Sequence, residues 1–411
     1  MFFIYKILIN LVFFFSPVII IFRIFKGKED LFRFKEKIGF FSKKRNQGKL
    51  IWFHGASVGE IQSIIPLIER FEKNKKIKQI LITSNTVSSS FIIKNLKLKK
   101  TIHQFFPIDC NFISKRFLNY WKPSKAFFID SEIWPITINN LYKRSTPIFL
   151  LNGRITKKSF NRWKVFSSFA KSIFSKFDLC LSSNIETKKY LKKLGAKNIK
   201  IIGNLKFSQS ENEKTNLNKD LVNLINSRKT WCASSTHYDE EKFCGLAHIK
   251  LKRKFKNLLT IIIPRHVNRI NSIKTELNNL NLKVHLDEPR KKIDPNTDIY
   301  LVNSYGKTKL FYKVCKNIFL GGSLIKHGGQ NPLEATRYGC KVLHGPNVSN
   351  FKEIYRFLSK KNLSRKIANQ DQLINNIIKY FYSKNNSRKI IKNLHLIGMD
   401  ILNKTYKEIN K

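Results

Sequence analysis

The stretch Lys49-Leu50-Ile51-Trp52-Phe53-His54-Gly55-Ala56-Ser57-Val58-Gly59-Glu60 runs from apolar residues through a small-residue loop into a helix start. Lys49–His54 lacks polar alternation, the mark of a strand buried on both faces in a parallel sheet. Ser57 and Glu60 form an S-x-x-E capping box that starts a helix at Val58, and apolar spacing carries it to Glu69. Strand, loop and helix in that order are one unit of an α/β fold. Outward from this unit the alternation recurs. Strands are expected at Gln79–Ser84, Ile102–Ile108, Ala126–Asp130, Pro147–Asn152, Leu179–Ser183 and Lys200–Ile202, with helices such as Ile185–Leu194 between them. The pattern restarts at Thr230–Ser234, Leu258–Pro264, Lys283–Leu286, Ile299–Val302, Asn317–Leu320 and Lys341–Leu343. Two doubly wound domains follow, with ligands expected at the carboxyl ends of the strands in a shared cleft.

The chain has 411 residues, 42% of them hydrophobic, which is ample for two or three cores and excludes a disordered basic tail. Polar Ser208–Asn218 has no apolar periodicity and reads as a linker between residues 26–207 and 219–411, with an apolar segment at 1–25 ahead of them. Lys plus Arg number 78 against 27 Asp plus Glu, a net charge of +51. Such a charge favours polyanionic partners: nucleic acid, an anionic membrane face or phosphorylated substrates. There is no zinc-finger spacing and no isolated basic helix, so nucleic acid is not expected. Lysine is also spread evenly along the body, as drift toward A/T-rich codons would spread it. The six cysteines, Cys110, Cys180, Cys232, Cys244, Cys315 and Cys340, form no C-x-x-C pair and read as buried thiols of a reducing compartment, without a zinc or disulfide framework.

At the amino terminus, Ile7–Phe22 carries no charge, and Met1–Phe22 would span about 30 Å as one helix at ~1.5 Å per residue. Asn10 and Ser16-Pro17 weaken it. No small-x-small cleavage site follows, and Arg23, Lys26 and Lys28 are wrong for an exported body. An uncleaved anchor or interfacial helix is expected, with the body on the cytoplasmic side. Lys26, Lys28, Arg33, Lys35, Lys37, Lys43, Lys44 and Arg45 are placed to meet an anionic surface, where each contributes ~1 kcal/mol.

Glycine is scarce, 17 in all, yet six fall between Gly321 and Gly345. Gly321-Gly322-Ser323 and Gly328-Gly329-Gln330 lead into Asn331-Pro332-Leu333-Glu334, which has the form of a helix start: Asn331 as cap, Pro332 first, Glu334 at the third position. A glycine-lined loop feeding a helix start offers backbone N–H groups to a phosphate. His54–Glu60 has the same architecture. Glu60 there is either a capping side chain or, at a strand end facing the cleft, a base for a hydroxyl. Asp130, Glu132 and Trp134 follow one strand, Lys206 follows Gly203-Asn204-Leu205, and Arg265 and His266 follow Ile261–Pro264. A basic residue in such a place suits a phosphate or carboxylate.

As a set these segments resemble the Kdo (3-deoxy-D-manno-octulosonic acid) transferases, glycosyltransferase family 30. The matching stretches are Phe53–Glu60, Asp130–Pro135, Leu151–Arg154 with Ser159, Gly203–Phe207, Ala233–His237 with Glu240-Glu241, Pro264–His266, Gly321–Leu324, Gly328–Glu334, and Gly345-Pro346 with Asn350-Phe351. The resemblance implies a GT-B fold of two Rossmann-like domains facing a central cleft, behind an amino-terminal anchor. It also implies Kdo transfer from CMP-Kdo to lipid IVA, the lipid A precursor of lipopolysaccharide, at the cytoplasmic face of the inner membrane. Glu60 matches the family's general base. Asp130 and Lys206 match its stabilising residues, while Pro264, Arg265, Tyr305, Gly306, Lys307, Asn331, Pro332, Leu333 and Glu334 match the segments that hold CMP. Two positions depart: Asp130 stands where the family usually has Glu, and Lys307 stands where it has Glu.

A donor with one phosphate at an anomeric carbon needs charge stabilisation but offers no second phosphate for a metal to bridge, so no metal or other cofactor is expected. One base and no evident covalent nucleophile fit inversion. The alternatives are a GT-B enzyme for another nucleotide sugar and a non-catalytic basic protein that binds membrane surfaces or nucleic acid.

Overall fold

A computed structural model describes residues 1–96, 98–209, 215–288, 293–384 and 386–411; residues 210–214 of the expected linker lie outside the described residues. The chain forms two compact units, Met1–Gln209 with Ile397–Lys411, and Ser210–Leu396. Each is built on a parallel sheet of seven strands.

In the first unit the strands are β1 (Leu50–His54), β2 (Gln79–Ser84), β3 (Thr101–Phe105), β4 (Lys125–Ile129), β5 (Ile148–Gly153), β6 (Leu179–Ser182) and β7 (Ile199–Ile201). Their spatial order is β3-β2-β1-β4-β5-β6-β7. The sheet grows one way from β1 and the other way from β4, so the loops after these two strands diverge and leave a crevice. The second unit repeats the plan with β8 (Lys229–Thr236), β9 (Leu258–Pro264), β10 (Val284–Leu286), β11 (Ile299–Leu301), β12 (Asn317–Leu320), β13 (Lys341–His344) and β14 (Ser364–Lys366). Here the order is β10-β11-β9-β8-β12-β13-β14, and the crevice lies between β8 and β12.

The apolar runs become strands because both faces are covered. Trp52 in β1 is fully buried, with its ring against Phe106, Phe117 and Phe128, and its indole N–H reaches Thr83 Oγ1 at 2.9 Å. Burying an aromatic side chain of this kind stabilises by ~2–3 kcal/mol. Trp231, Phe319 and Leu301 serve the same purpose in the second sheet. All six cysteines are buried and free. One expected strand ends early, and one strand was not expected. β3 stops at Phe105 rather than Ile108, since Pro107 has no N–H for the ladder. β14, Ser364-Arg365-Lys366, is an edge strand with exposed Arg365 and Lys366 and no apolar run to betray it.

The single amino-terminal helix is overturned. Phe2–Phe14 and Ser16–Phe25 are separate helices bent by 52°. Pro17, in the first turn of the second helix, cannot donate to the preceding turn and crowds its carbonyl. Among the described residues no single helix is long and apolar enough to cross a membrane; by length and composition the bent pair passes that test together. The connector that follows is knitted into the first sheet. Glu29 pairs with Lys37 at 2.6 Å, Glu36 pairs with Arg33 at 2.8 Å, and Glu36 also accepts the Phe105 N–H. Arg45 donates to the Trp121 and Gly48 carbonyls. Arg33, Lys37 and Arg45 are therefore engaged inside the protein, while Lys26, Lys28, Lys35, Lys43 and Lys44 remain exposed.

The carboxyl-terminal Ile397–Lys411, which the sequence reading places with the second domain, packs in the first unit. Tyr406 lies on Phe71, Lys200 pairs with Glu408, and Gly398 abuts the Phe207 carbonyl. The helix Ser387–Asn410 keeps one amphipathic pattern throughout, and such a pattern does not say which sheet it covers. A Cβ at Gly398 would come within 2.3 Å of the Phe207 oxygen, a backbone atom one residue from Lys206. Gly398→Ala is expected to cost ~1–3 kcal/mol through this overpacking. A lowered urea midpoint checks it; an unchanged midpoint would show that the helix is not seated so closely.

Candidate active site

The crevice between β1 and β4 collects Glu60, Asp130, Glu132 and Lys206. After β1, Gly55 is held tightly, since a Cβ there would meet Glu60 and Ile61 at 3.2 Å. Ser57 then caps the helix Val58–Glu72. The Glu60 carboxylate accepts the Ala56 N–H at 2.7 Å and the Ser57 hydroxyl at 2.8 Å. The capping reading of Glu60 is therefore realised, and it coexists with an unusual charge environment. Burial, then Glu132, then Asp130 push the Glu60 carboxyl up to about 7, against the opposing bonds from Ser57 and Ala56.

After β4 the backbone turns sharply. Asp130 has φ of 54° and Asn152, at the end of neighbouring β5, has φ of 53°. Left-handed backbone strains most side chains, and Asp and Asn tolerate it best. Aspartate in place of the family's glutamate thus suits the local backbone. Asn152 donates to Asp130 Oδ1 and accepts the Leu205 N–H at 2.9 Å, which ties the Leu205–Ser208 turn to the strand end. That turn brings Lys206 Nζ within 3.6 Å of Asp130 Oδ2. Glu132 accepts from Trp134 Nε1 at 3.0 Å and meets His54 Nε2 at 3.3 Å. His54 is fully buried, and burial holds its imidazole below the usual range, hence neutral. Asn152 and His54 were given no role from the sequence; their signals were their position at strand carboxyl ends and their place in the matching stretches Leu151–Arg154 and Phe53–Glu60.

The crevice between β8 and β12 is built differently. Ser235 (φ 56°), Asp239 (φ 69°) and Gly322 (φ 62°) put left-handed backbone around it. The buried Glu240 carboxylate accepts N–H groups from His237, Gly322, Ser323 and Leu324 at 2.6–3.1 Å. The amides of 322–324, expected to face a phosphate, are thus taken by the protein's own carboxylate. Asn331 caps Leu333 N–H at 3.2 Å and Pro332 opens the helix, as its sequence indicates, but the helix Pro332–Arg337 has only six residues. Leu333 is buried within it, and Glu334 lies in its first turn. Pro264 is buried at the end of β9, and Arg265 and His266 beyond it are exposed. The His237 ring lies 5.7 Å from that of His266 and 4.3 Å from that of His327. Tyr305 is exposed and Gly306 has φ of 85°. Lys307 is paired with Asp287 at 2.6 Å, and Tyr300 donates to the same carboxylate. Asp287 therefore offsets the charge that departs from the family pattern.

Two doubly wound parallel sheets with polar groups at their order-reversal points define the GT-B class of glycosyltransferase folds. A solved UDP-N-acetylglucosamine 2-epimerase shares the architecture at a TM-score of 0.58 and 12% identity, covering 90% of this chain and 97% of that one. Residues 32–209 match the family described as 3-deoxy-D-manno-octulosonic-acid transferase (kdotransferase). A 3-deoxy-D-manno-octulosonic acid transferase of Rickettsia bellii is 32% identical over 91% of this chain and 89% of its own length. Its counterpart in Haemophilus influenzae is 30% identical over 79% of this chain and 78% of its own. The chain belongs to the 3-deoxy-D-manno-octulosonic acid transferase family, and it is a glycosyltransferase.

The elevated Glu60 pKa has a consequence for stability. Between 4.5 and about 7 the folded protein holds a proton that the unfolded chain has released, so the carboxyl's contribution to stability falls as pH rises through that window. Glu60→Gln is therefore expected to gain ~1–3 kcal/mol relative to the unsubstituted protein on going from pH 5 to pH 8. Melting temperatures of both proteins across that range check it; a constant difference would assign Glu60 an ordinary pKa.

Proposed function

We propose that this protein transfers Kdo from CMP-Kdo to lipid IVA in lipopolysaccharide synthesis, by a metal-independent inverting reaction with Glu60 as general base. The observation that carries the reading is a half-buried carboxyl, its pKa raised to about 7, in the strand-end crevice of a Kdo transferase family member. At neutral pH such a group is partly ionised and is a far better proton acceptor than an ordinary carboxylate. A sugar hydroxyl of the lipid attacks the anomeric carbon of Kdo, its proton passes to Glu60, and the bond from that carbon to the CMP phosphate oxygen breaks. CMP leaves with the electron pair. Lys206, held by Asp130 and the Asn152 tie, offsets negative charge as that bond breaks. Arg265, exposed at the end of β9, is suited to the phosphate, with Pro264, Tyr305, Gly306, Lys307 and Asn331–Glu334 holding the rest of CMP. Lys307, already paired, serves through its backbone.

The membrane reading belongs to the same proposal. The bent helix pair exposes Phe3, Ile4, Leu8, Phe14, Phe22 and Phe25, and exposed lysines lie just beyond it. This suits attachment to the cytoplasmic face of the inner membrane, where the acceptor resides.

Incubating the full chain with CMP-Kdo, generated in place, and lipid IVA should add discrete Kdo mass steps to the lipid, read by mass spectrometry. Turnover of UDP-sugars with CMP-Kdo ignored would replace this reading with another GT-B donor. Glu60→Gln is expected to lower turnover by ~10²–10⁴-fold with CMP binding retained, and near-normal turnover would leave Glu60 as a cap alone. Lys206→Ala should depress turnover more than donor affinity. A change confined to the donor's dissociation constant would make Lys206 a binding residue.

A further inference from the structure

Glu132 has no place in the mechanism above, yet it stands in the same crevice with one carboxylate oxygen held by two donors. Among the described residues its partners are His54 Nε2 and Trp134 Nε1, and the Trp134 indole is a donor only. The His54 tautomer follows from the carboxylate it faces. Ionised Glu132 only accepts, so the ring proton sits on Nε2 and points at Glu132. Nδ1 then accepts from the Thr83 hydroxyl at 2.9 Å, an oxygen that also accepts from Trp52 Nε1 at 2.9 Å. The ring cannot turn away: it stacks on Phe106 at 3.9 Å and meets Phe128 and Trp134 edge-on. Glu132 is thus fixed by two neutral N–H donors. Asp130, by contrast, has Lys206 beside it. A neutral donor orients a carboxylate without cancelling its charge, and a lysine does both.

We propose that Glu132 is a positioning residue for the transfer reaction: a fixed negative charge, held by the chain Trp52–Thr83–His54 and by Trp134 where β1 and β4 end side by side, that acts on Glu60. The inference rests on the reading of Glu60 as the base. The groups that face Glu60 are Glu132 and Asp130, the latter partly offset by Lys206, and the Ser57 hydroxyl and Ala56 N–H, which favour its ionised form. Of the two carboxylates, Glu132 pushes the Glu60 carboxyl up more. The first carboxylate of the Asp130–Pro135 segment therefore holds Lys206, and the second sets the strength of the base.

The test compares pH profiles of kcat/KM for the full chain, Glu132→Gln and Glu60→Gln, with CMP-Kdo and lipid IVA. In the unsubstituted protein the activity should rise with pH around a midpoint of about 7, as Glu60 loses its proton. Glu132→Gln keeps an acceptor for both N–H donors and removes the charge, so the midpoint should fall by about one pH unit. The plateau should also drop, about threefold to tenfold, because the base is weaker. Relief of repulsion should raise the melting temperature of Glu132→Gln at pH 8 but not at pH 5, which doubles as the check on folding. A lowered plateau with an unmoved midpoint and no pH-dependent gain in melting temperature would overturn the proposal and leave Glu132 a structural hydrogen-bond acceptor. Near-normal turnover by Glu60→Gln would instead overturn the reading of the base on which it rests.

Discussion

Three carboxylates, Glu60, Asp130 and Glu132, stand at the crevice where β1 and β4 part, and the first unit is arranged so that they remain there together. Like charges at an effective dielectric constant near 20 repel by ~4 kcal/mol at 4 Å, so such a group persists only where the scaffold holds each member independently. The scaffold does so by three means. A helix start holds Glu60 through Ala56 and Ser57. Left-handed backbone at Asp130 and Asn152, with Lys206 drawn in by the Leu205 turn, holds Asp130. The His54 relay from the sheet interior holds Glu132. Each support comes from a different element, and all of them end at the carboxyl edge of the sheet. The order reversal of the strands is what brings these ends together.

The second unit meets the same topological opening with the opposite electrostatic solution. Glu240 is buried, and its two oxygens collect four backbone N–H groups from the loops after β8 and β12. Those amides would otherwise form an anion-binding concavity, and the protein fills it from within. The carboxylate locks the glycine loop into one shape, with Gly321 so close to Ser235 and Glu240 that a Cβ would lie 2.6 Å from each. What remains for an external anion is the exposed rim, Arg265, His266 and His327. One unit thus gathers its carboxylates at the strand-end crevice, and the other spends its carboxylate on loop geometry.

The α/β class and both sheets could be read from the sequence because apolar runs of strand length have one cheap environment, the interior of a parallel sheet. The fold-level failures share a physical cause. Ser364-Arg365-Lys366 pairs only through its backbone at an edge, and backbone pairing leaves no mark on side-chain choice. The bend at Phe15 was signalled by Ser16-Pro17, although its angle depends on how the two helices settle. Ile397–Lys411 crosses to the first unit through contacts such as Tyr406 on Phe71, which no local pattern encodes. At the site, Glu60, Asp130, Glu132 and Lys206 were legible from their place after strands. Their mutual arrangement was not, because it runs through Asn152, His54 and Thr83, residues remote in sequence whose side chains meet only after the strands register, as His54 does opposite Thr83. The glycine loop was legible as a tight turn, whereas its occupant, Glu240, lies about eighty residues away.

The excess of positive charge acquires a different meaning in this light. With 78 basic and 27 acidic residues, a random surface position is about three times as prone to carry a cation as an anion. Drift in composition can multiply exposed lysines at little cost to stability. It cannot place acids. Glu29 is buried against Arg23 and Lys37, Glu36 is buried where it anchors the connector to β3, Glu240 and Glu241 are buried at the start of one helix, and Asp298 is buried against His248 and Lys252. Each of these acids has a cation or a set of donors matched to it. The crevice of the first unit gathers three carboxylates, of which Glu132 is held by neutral side-chain donors and Glu60 by a hydroxyl and an amide. In a chain so rich in lysine, two clustered carboxylates held by neutral donors among the described residues run against both composition and electrostatic stability. On the proposed reading of Glu60 as the base, catalysis is what sustains such an arrangement, at the order reversal of the sheet, where open α/β folds bind their ligands.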